Sequence, residues 1–352
     1  MGSIMKRKRK KKLKIKNLLF VLLTLLLIGF LIIFVFGKSR DENGEEYEPE
    51  PEPPRLQIFD EDSKSRPIAI MINNNHAAWP HSGLQDAFIL YEIIVEGGIT
   101  RFLALYKDQD TARIGSVRSA RHYFLDYALE NDAFFVHHGW SVEARRDISS
   151  LGIHNIHIGA NNGAWRDTSL GKSLEHTLFT SIERIKPLMS RNNRRTETNI
   201  NNLLSYSVEL ICLSNMAEAK EANVVDIVYS GAQTTRFEFD SVNRVYRRSM
   251  SRRGTMTRHV DATTGEQYTV KNIITYKVRN RSIGRGGVQT LDNVGNGTGY
   301  FITNGFAVPI TWEKPSRGAQ TIYRHLNGER IQVNDGNTHI QIQPATQRLE
   351  IK

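Results

Sequence analysis

The sequence predicts an α+β fold: a mixed α/β domain, then a mainly antiparallel β domain, both held outside a membrane by one N-terminal transmembrane helix. Three observations predict it. An unbroken apolar run fills 18–36 behind a lysine-rich segment. Between 66 and 210, short apolar strands alternate with helical patterns. From 222 to 352, strand-like runs alternate with the turn dipeptides Thr264-Gly265, Asn296-Gly297, Asn304-Gly305, Asn327-Gly328 and Asp335-Gly336.

Residues 1–17 form a basic cytoplasmic segment. Nine Lys and Arg residues precede the apolar run, whereas only Lys38 and Arg40 close it, and this bias keeps the N-terminus inside. The run 18–36 is interrupted only by Thr24 and Gly29 and is long enough for a helix spanning the hydrocarbon core. It ends in Phe34-Val35-Phe36 with no small-residue cleavage pattern, so an uncleaved signal anchor is expected. No cysteine lies near it; the single Cys212 also excludes an intramolecular disulfide. Residues 37–65 are a linker. Its stretch 41–55, DENGEEYEPEPEPPR, is too acidic and Pro-rich to fold and reads as a spacer.

The net charge of +10 is mainly an orientation signal. Eleven of 47 basic residues precede position 41 and seven of 37 acids lie in 41–52, leaving 36 and 30, a net +6, for the outer part. Nucleic acid is therefore not an expected partner.

In the first outer domain, strands are expected at 67–72, 87–95 and 99–106, the last two joined by a Gly97-Gly98 turn. A helix over 117–130 follows, capped by Ser116. Then come a strand at 133–136, a helix over 141–149 capped by Ser141, a helix over 178–189 and an exposed polar loop at 191–202. In the second domain, 300–303, Asn304-Gly305 and 306–310 read as a type I′ hairpin.

Several residues can carry chemistry. A two-residue Gly97-Gly98 turn sets Ile94 opposite Arg101, so that Glu92 and Glu96 flank Arg101 on one face. That arrangement is a structural ion cluster or a buried acid tuned by arginine. With Ser116 as cap, Arg118, Arg121 and His122 crowd the first turns of the next helix, while Asp126, Glu130 and Asp132 follow. This is the reverse of what the helix dipole favours. Amides and two arginines there make an anion site, or else the arginines neutralise Glu92, Glu96 or Asp86. His137-His138 follow a strand, where α/β ligands gather; neighbouring strand residues point to opposite faces, which disfavours a shared metal. Either can serve as acid or base. Trp165-Arg166-Asp167 and His176 fall in a Gly/Asn-rich loop, and Asn73 to His76 can line the same end of the sheet. No Walker loop, dinucleotide fingerprint, nucleophile elbow or zinc spacing is present, so no metal and no cofactor are expected.

The stretches PIAIMINN, DAFILYEIIVEGGITRFLALY, IGSVRSARHYF, DAFFVHHG and WRD, with RFEFD, GTGYFITNG, ITWEKPS and GNTHIQI later, resemble the YerB-type bacterial lipoproteins. The resemblance covers nearly the whole outer region. It implies two domains of unknown function tethered outside the cytoplasm, usually through a lipidated cysteine, which this chain replaces with an apolar span. A looser similarity in plan, over about sixty residues, links the first strands and the Ser-x-Arg turn to cell-wall ligases that place arginines on a polyprenyl pyrophosphate.

The leading expectation is a membrane-anchored cell-envelope protein that binds an anionic, phosphate- or carboxylate-bearing ligand through Arg118, Arg121 and Arg166, with Arg101, His122, Asp167 and His176 nearby. The second is an enzyme on lipid-linked or wall glycans, with Glu92, Glu96, His137 or His138 as base. The third is a scaffold for a membrane- or wall-associated protein.

Overall fold

The computed structural model describes residues 23–28, 30–31, 54–252, 254–284 and 286–352. The chain separates into Met1–Pro54 and Arg55–Lys352. In the first unit, the described positions 23–28 and 30–31 are helical, with Leu25, Leu26 and Phe30 exposed. The rest of the expected span, the basic segment and most of the linker lie outside the described residues. Among the described residues, no helix is long and apolar enough to cross a membrane.

The second unit is built on a large mixed sheet. Its first strands are β1 (Ile68–Asn73), β2 (Ile89–Ile94) and β3 (Thr100–Tyr106). All three are buried along their whole length, which suits their runs of aliphatic and aromatic residues. Ala69 and Met71 of β1 enter one core cluster, whereas Ile68, Ile70 and Ile72 enter another, so the sheet is covered on both faces. After α1 (Leu125–Glu130), β4 (Phe134–His137) pairs parallel to β1. The helix α2 (Val142–Ser150) is capped as expected, the Ser141 hydroxyl accepting from the Ala144 amide. A short β5 (Asn155–His157) pairs parallel to β4.

The C-terminal half adds β6 (Asn272–Val278), β7 (Gly295–Thr303), β8 (Phe306–Lys314) and β9 (Thr338–Pro344) to this same sheet. The order runs β8, β7, β6, β9, β2, β3, β1, β4, β5, with β9 parallel to β2. One sheet is thus shared by both sequence halves, which no local pattern announced. The expected hairpin is present: β7 and β8 turn through Asn304 and Gly305, at φ 49° and 81°. A second sheet, of six strands, includes Val224–Ser230, Gln233–Asp240 and Val245–Arg252.

Three expectations need correction. The β2–β3 turn has three residues, Glu96 to Gly98, not two. Ile93 therefore faces Arg101 and Glu92 faces Phe102. A one-residue slip reverses the face, so Glu92 and Arg101 point to opposite sides of the sheet. The helix expected over 117–130 begins only at His122 as a 3-10 turn and becomes α1 at Leu125. Residues 116–121 are held out of the helix because their backbone pairs elsewhere: the Val117 amide donates to Leu178, that of Arg118 to Met71 and that of Ala120 to Gly139. The helix expected over 178–189 divides into a strand, Leu178–Thr180, and a helix, Ile182–Met189, capped by Ser181.

Candidate functional site

Strands β1, β4 and β5 run parallel, so their carboxyl ends share one edge of the sheet. They deliver Asn73 and His137, with His138 next in the chain. Antiparallel β3 starts at this edge and places Arg101 beside Asn73. The extended segment 116–121 crosses the same end, its Arg118 carbonyl accepting from the His138 amide. The loop carrying Glu175 and His176 closes the site.

Four guanidiniums meet there. Arg101 is 6% exposed and donates to the Ser119 carbonyl at 2.6 Å, with Glu96 at 3.8 Å. Arg121 takes Glu96 bidentately at 2.5 and 3.0 Å. Arg118 reaches the Glu175 carboxylate at 2.8 Å. Its Nε is buried and has no hydrogen-bond partner among the described residues. Arg166 donates to the Leu174 carbonyl and faces the His138 Nε2 at 3.4 Å. His138 donates from Nδ1 to the Ile158 carbonyl at 2.7 Å, which leaves Nε2 as the acceptor turned to Arg166. His176 Nδ1 accepts from Asn73 at 2.8 Å, so its Nε2 points its proton toward Glu175 at 3.5 Å.

Charge is unbalanced: four arginines face two carboxylates. Burial, then the Arg121 charge, pushes Arg101 down to about 9 despite Glu96. Burial opposes the Glu96 charge, but the hydrogen bonds and charge of Arg121 outweigh it and hold the carboxyl below its usual range. Arg118 does the same for Glu175.

Other expected residues stand elsewhere. Glu92 is fully buried, with Oε1 accepting from Thr100 at 2.8 Å and Thr235 at 2.9 Å and Oε2 from Arg248 at 2.9 Å. With both oxygens engaged it is no free base, and Glu96 is likewise held by arginines on both oxygens. His137 is buried, with Nδ1 on the Gly139 carbonyl at 2.8 Å. His122 turns to Thr290, at 3.0 Å, and leaves the cluster. Asp167 binds Arg113 at 2.7 Å. The cluster gathers Arg101, Arg118, Arg121, Arg166, Glu96, His138 and His176. The helical segment starts only after Arg121, so Arg121 stands at its N-terminus while Arg118 lies in the extended segment before it, off the expected first turn.

Sequence reasoning missed Glu175, Ser119 and the imidazole stack beside Arg166. The His138 and His157 rings stack at 5.6 Å and 10°, and Trp140 lies 4.6 Å from His157. No spacing pointed to them. They meet because β4 and β5 are adjacent.

Comparison with known proteins covers the same region in two parts. Residues 56–195 match the N-terminal domain, and 225–340 the C-terminal domain, of the family described as protein of unknown function (DUF3048). The chain is 29% identical over 282 residues to YerB, a predicted lipoprotein of Bacillus subtilis (strain 168), covering 78% of this chain and 77% of YerB. The crystal structure of the YerB protein from Bacillus subtilis superposes with a TM-score of 0.71 at 26% identity, covering 85% of this chain and 97% of the other.

Proposed function

This chain belongs to the DUF3048 family, and from that premise we propose that it is an anchored cell-envelope protein that binds an anionic, phosphate-bearing ligand at the carboxyl ends of β1 and β4. The observation that carries this reading is the charge surplus there, with Arg101 buried and its nearest carboxylate 3.8 Å away. A buried cation whose nearest carboxylate stands at 3.8 Å and is shared with Arg121 is incompletely compensated, and a phosphate bridging neighbouring Arg118 and Arg166 adds negative charge there through bidentate, charge-assisted bonds. Binding is favoured over turnover, because Glu92 and Glu96 are engaged on both oxygens and His137 is buried.

YerB is named a lipoprotein. In this chain we assign the anchoring role to the apolar run 18–36, on its length and composition. The full-length protein is expected to stay with membranes after alkaline carbonate extraction; release into the supernatant contradicts the anchor.

Pyrophosphate is the simplest ligand probe. The unit Arg55–Lys352 is compact on its own. At a hundredfold excess over Kd, ligand adds about 2.7 kcal/mol, a rise of several degrees in Tm. The Arg118→Gln/Arg166→Gln variant is expected to melt close to the wild type without ligand and to lose that rise. An equal rise in the variant, or none in the wild type, contradicts the reading.

A further inference from the structure

We propose that the arginine cluster and the apolar side chains around it form one surface that docks on the phosphates of an anionic lipid layer. The inference rests on the anion-binding reading and names the source of the phosphate.

Three large apolar side chains lie in the open beside the cluster: Trp140 at 37%, Leu174 at 62% and Val142 at 82% exposure. They are joined to it by contact. The Leu174 carbonyl accepts from Arg166. Arg166 faces His138, whose ring stacks on His157, and His157 lies against Trp140. Arg145 stands over the Trp140 ring at 5.6 Å. Val142 opens α2 directly after Ser141, whose amide is tied to the Ala120 carbonyl beside Arg121.

The charges complement an anionic surface. Among the described residues, neither Arg145 nor Arg166 has a carboxylate within ion-pair distance. The acids nearby are Glu96, on Arg121 and Arg101, Glu175, on Arg118, Asp167, on Arg113, Glu143 in the first turn of α2, and Asp147, held by Arg146 and Arg317. An exposed valine at the start of a helix adds nothing to folding. An exposed tryptophan beside arginines is the arrangement that sits at a membrane interface, ring at headgroup level and guanidiniums on phosphates. The sequence between the apolar run and Pro54 has the length for such an approach. The segment 37–53 spans roughly 50 Å when extended at about 3.1 Å per residue, and such tethering lets a weak contact be occupied.

The test uses the unit Arg55–Lys352 and vesicles of phosphatidylglycerol and phosphatidylcholine, beside phosphatidylcholine alone, at about 0.15 M salt. Wild type is expected to sediment with the anionic vesicles only. Brominated chains should quench wild type more than a Trp140→Phe variant, in which half-buried Trp165 and buried Trp79 and Trp312 remain. The Val142→Ser/Leu174→Ser variant, which removes apolar surface, adds no charge beside Arg166 and leaves the Leu174 carbonyl in place, is expected to lose vesicle partitioning about tenfold or more while keeping its pyrophosphate-induced rise in Tm. Absence of wild-type binding to anionic vesicles, or equal binding by the variant, overturns the proposal. If pyrophosphate still stabilises the protein, only the lipid source falls; if it does not, the anion-binding reading falls too.

Discussion

Glu92→Ala is expected to lower the unfolding free energy of Arg55–Lys352 by about 3–5 kcal/mol. Glu92 and Arg248 are both completely buried and pair at 2.9 Å. Arg248 also donates to His259 Nδ1 at 2.5 Å, and its guanidinium lies 5.0 Å from the Phe102 ring centre. Without Glu92, that buried guanidinium loses its ion-pair partner. Asn74, Thr100 and Thr235 lose their shared acceptor as well. The loss is a large part of the roughly 5–15 kcal/mol that holds a domain together. Because the destabilisation comes from an orphaned charge, the double change Glu92→Leu/Arg248→Met should recover most of it. Urea unfolding of the three proteins decides: a single-variant loss below about 1 kcal/mol would show that the pair is incidental to the joining of the two halves.

The second large effect is an early acid transition. His81 and His259 are buried in a directed chain: His81 donates from Nε2 to the Asn73 carbonyl and accepts at Nδ1 from His259, which accepts in turn from Arg248. Every ring position is committed with both imidazoles neutral. Burial pushes His81 down to about 3 and His137 down to about 4, and drives His259 and His339 well below the usual range. Above pH 6.5 these groups are neutral in both states and add no pH dependence. Below it the unfolded chain takes up protons that the folded chain refuses. Stability then falls by about 1.4 kcal/mol per pH unit for each such histidine, until the folded values are reached. Four together approach the whole stability of a domain within about two pH units. Carboxylates held low, such as Glu96 and Asp132, work in a lower window: their contribution is present above about pH 4.5 and is lost as pH falls further. Unfolding free energies should therefore drop steeply from pH 6.5 to 5. A flat profile there would contradict neutral, buried imidazoles.

The strands were legible because each is a bounded apolar run, and the Asn304-Gly305 turn because its backbone needs left-handed residues. The register of the β2–β3 hairpin was not. Gly97 and Gly98 both sit at positive φ, but Glu96 joins them in the turn, and that extra residue sent Glu92 to the far face. The helix expected to start at Ser116 failed for a tertiary reason. Residues 117–121 have adequate helical spacing, but Met71, Leu178 and Gly139 take their amides. Of the candidate site, the arginines were visible as residue types out of place, and the pairing of Arg121 with Glu96 was one of the two readings open. Glu175 and the stack from His138 to Trp140 were invisible, since they depend on the order of parallel strands. The link from Glu92 to Arg248 was hidden for the same reason: it spans the two sequence halves.

At the arginine edge of the sheet we propose an anion site. The measurement closest to it is a crystal structure of Arg55–Lys352 grown with pyrophosphate. A phosphate is expected within hydrogen-bonding distance of both Arg118 and Arg166, beside Arg101, with Glu175 displaced from Arg118. Pyrophosphate bound elsewhere, or this edge empty with Glu96 and Glu175 still on their arginines, would contradict it.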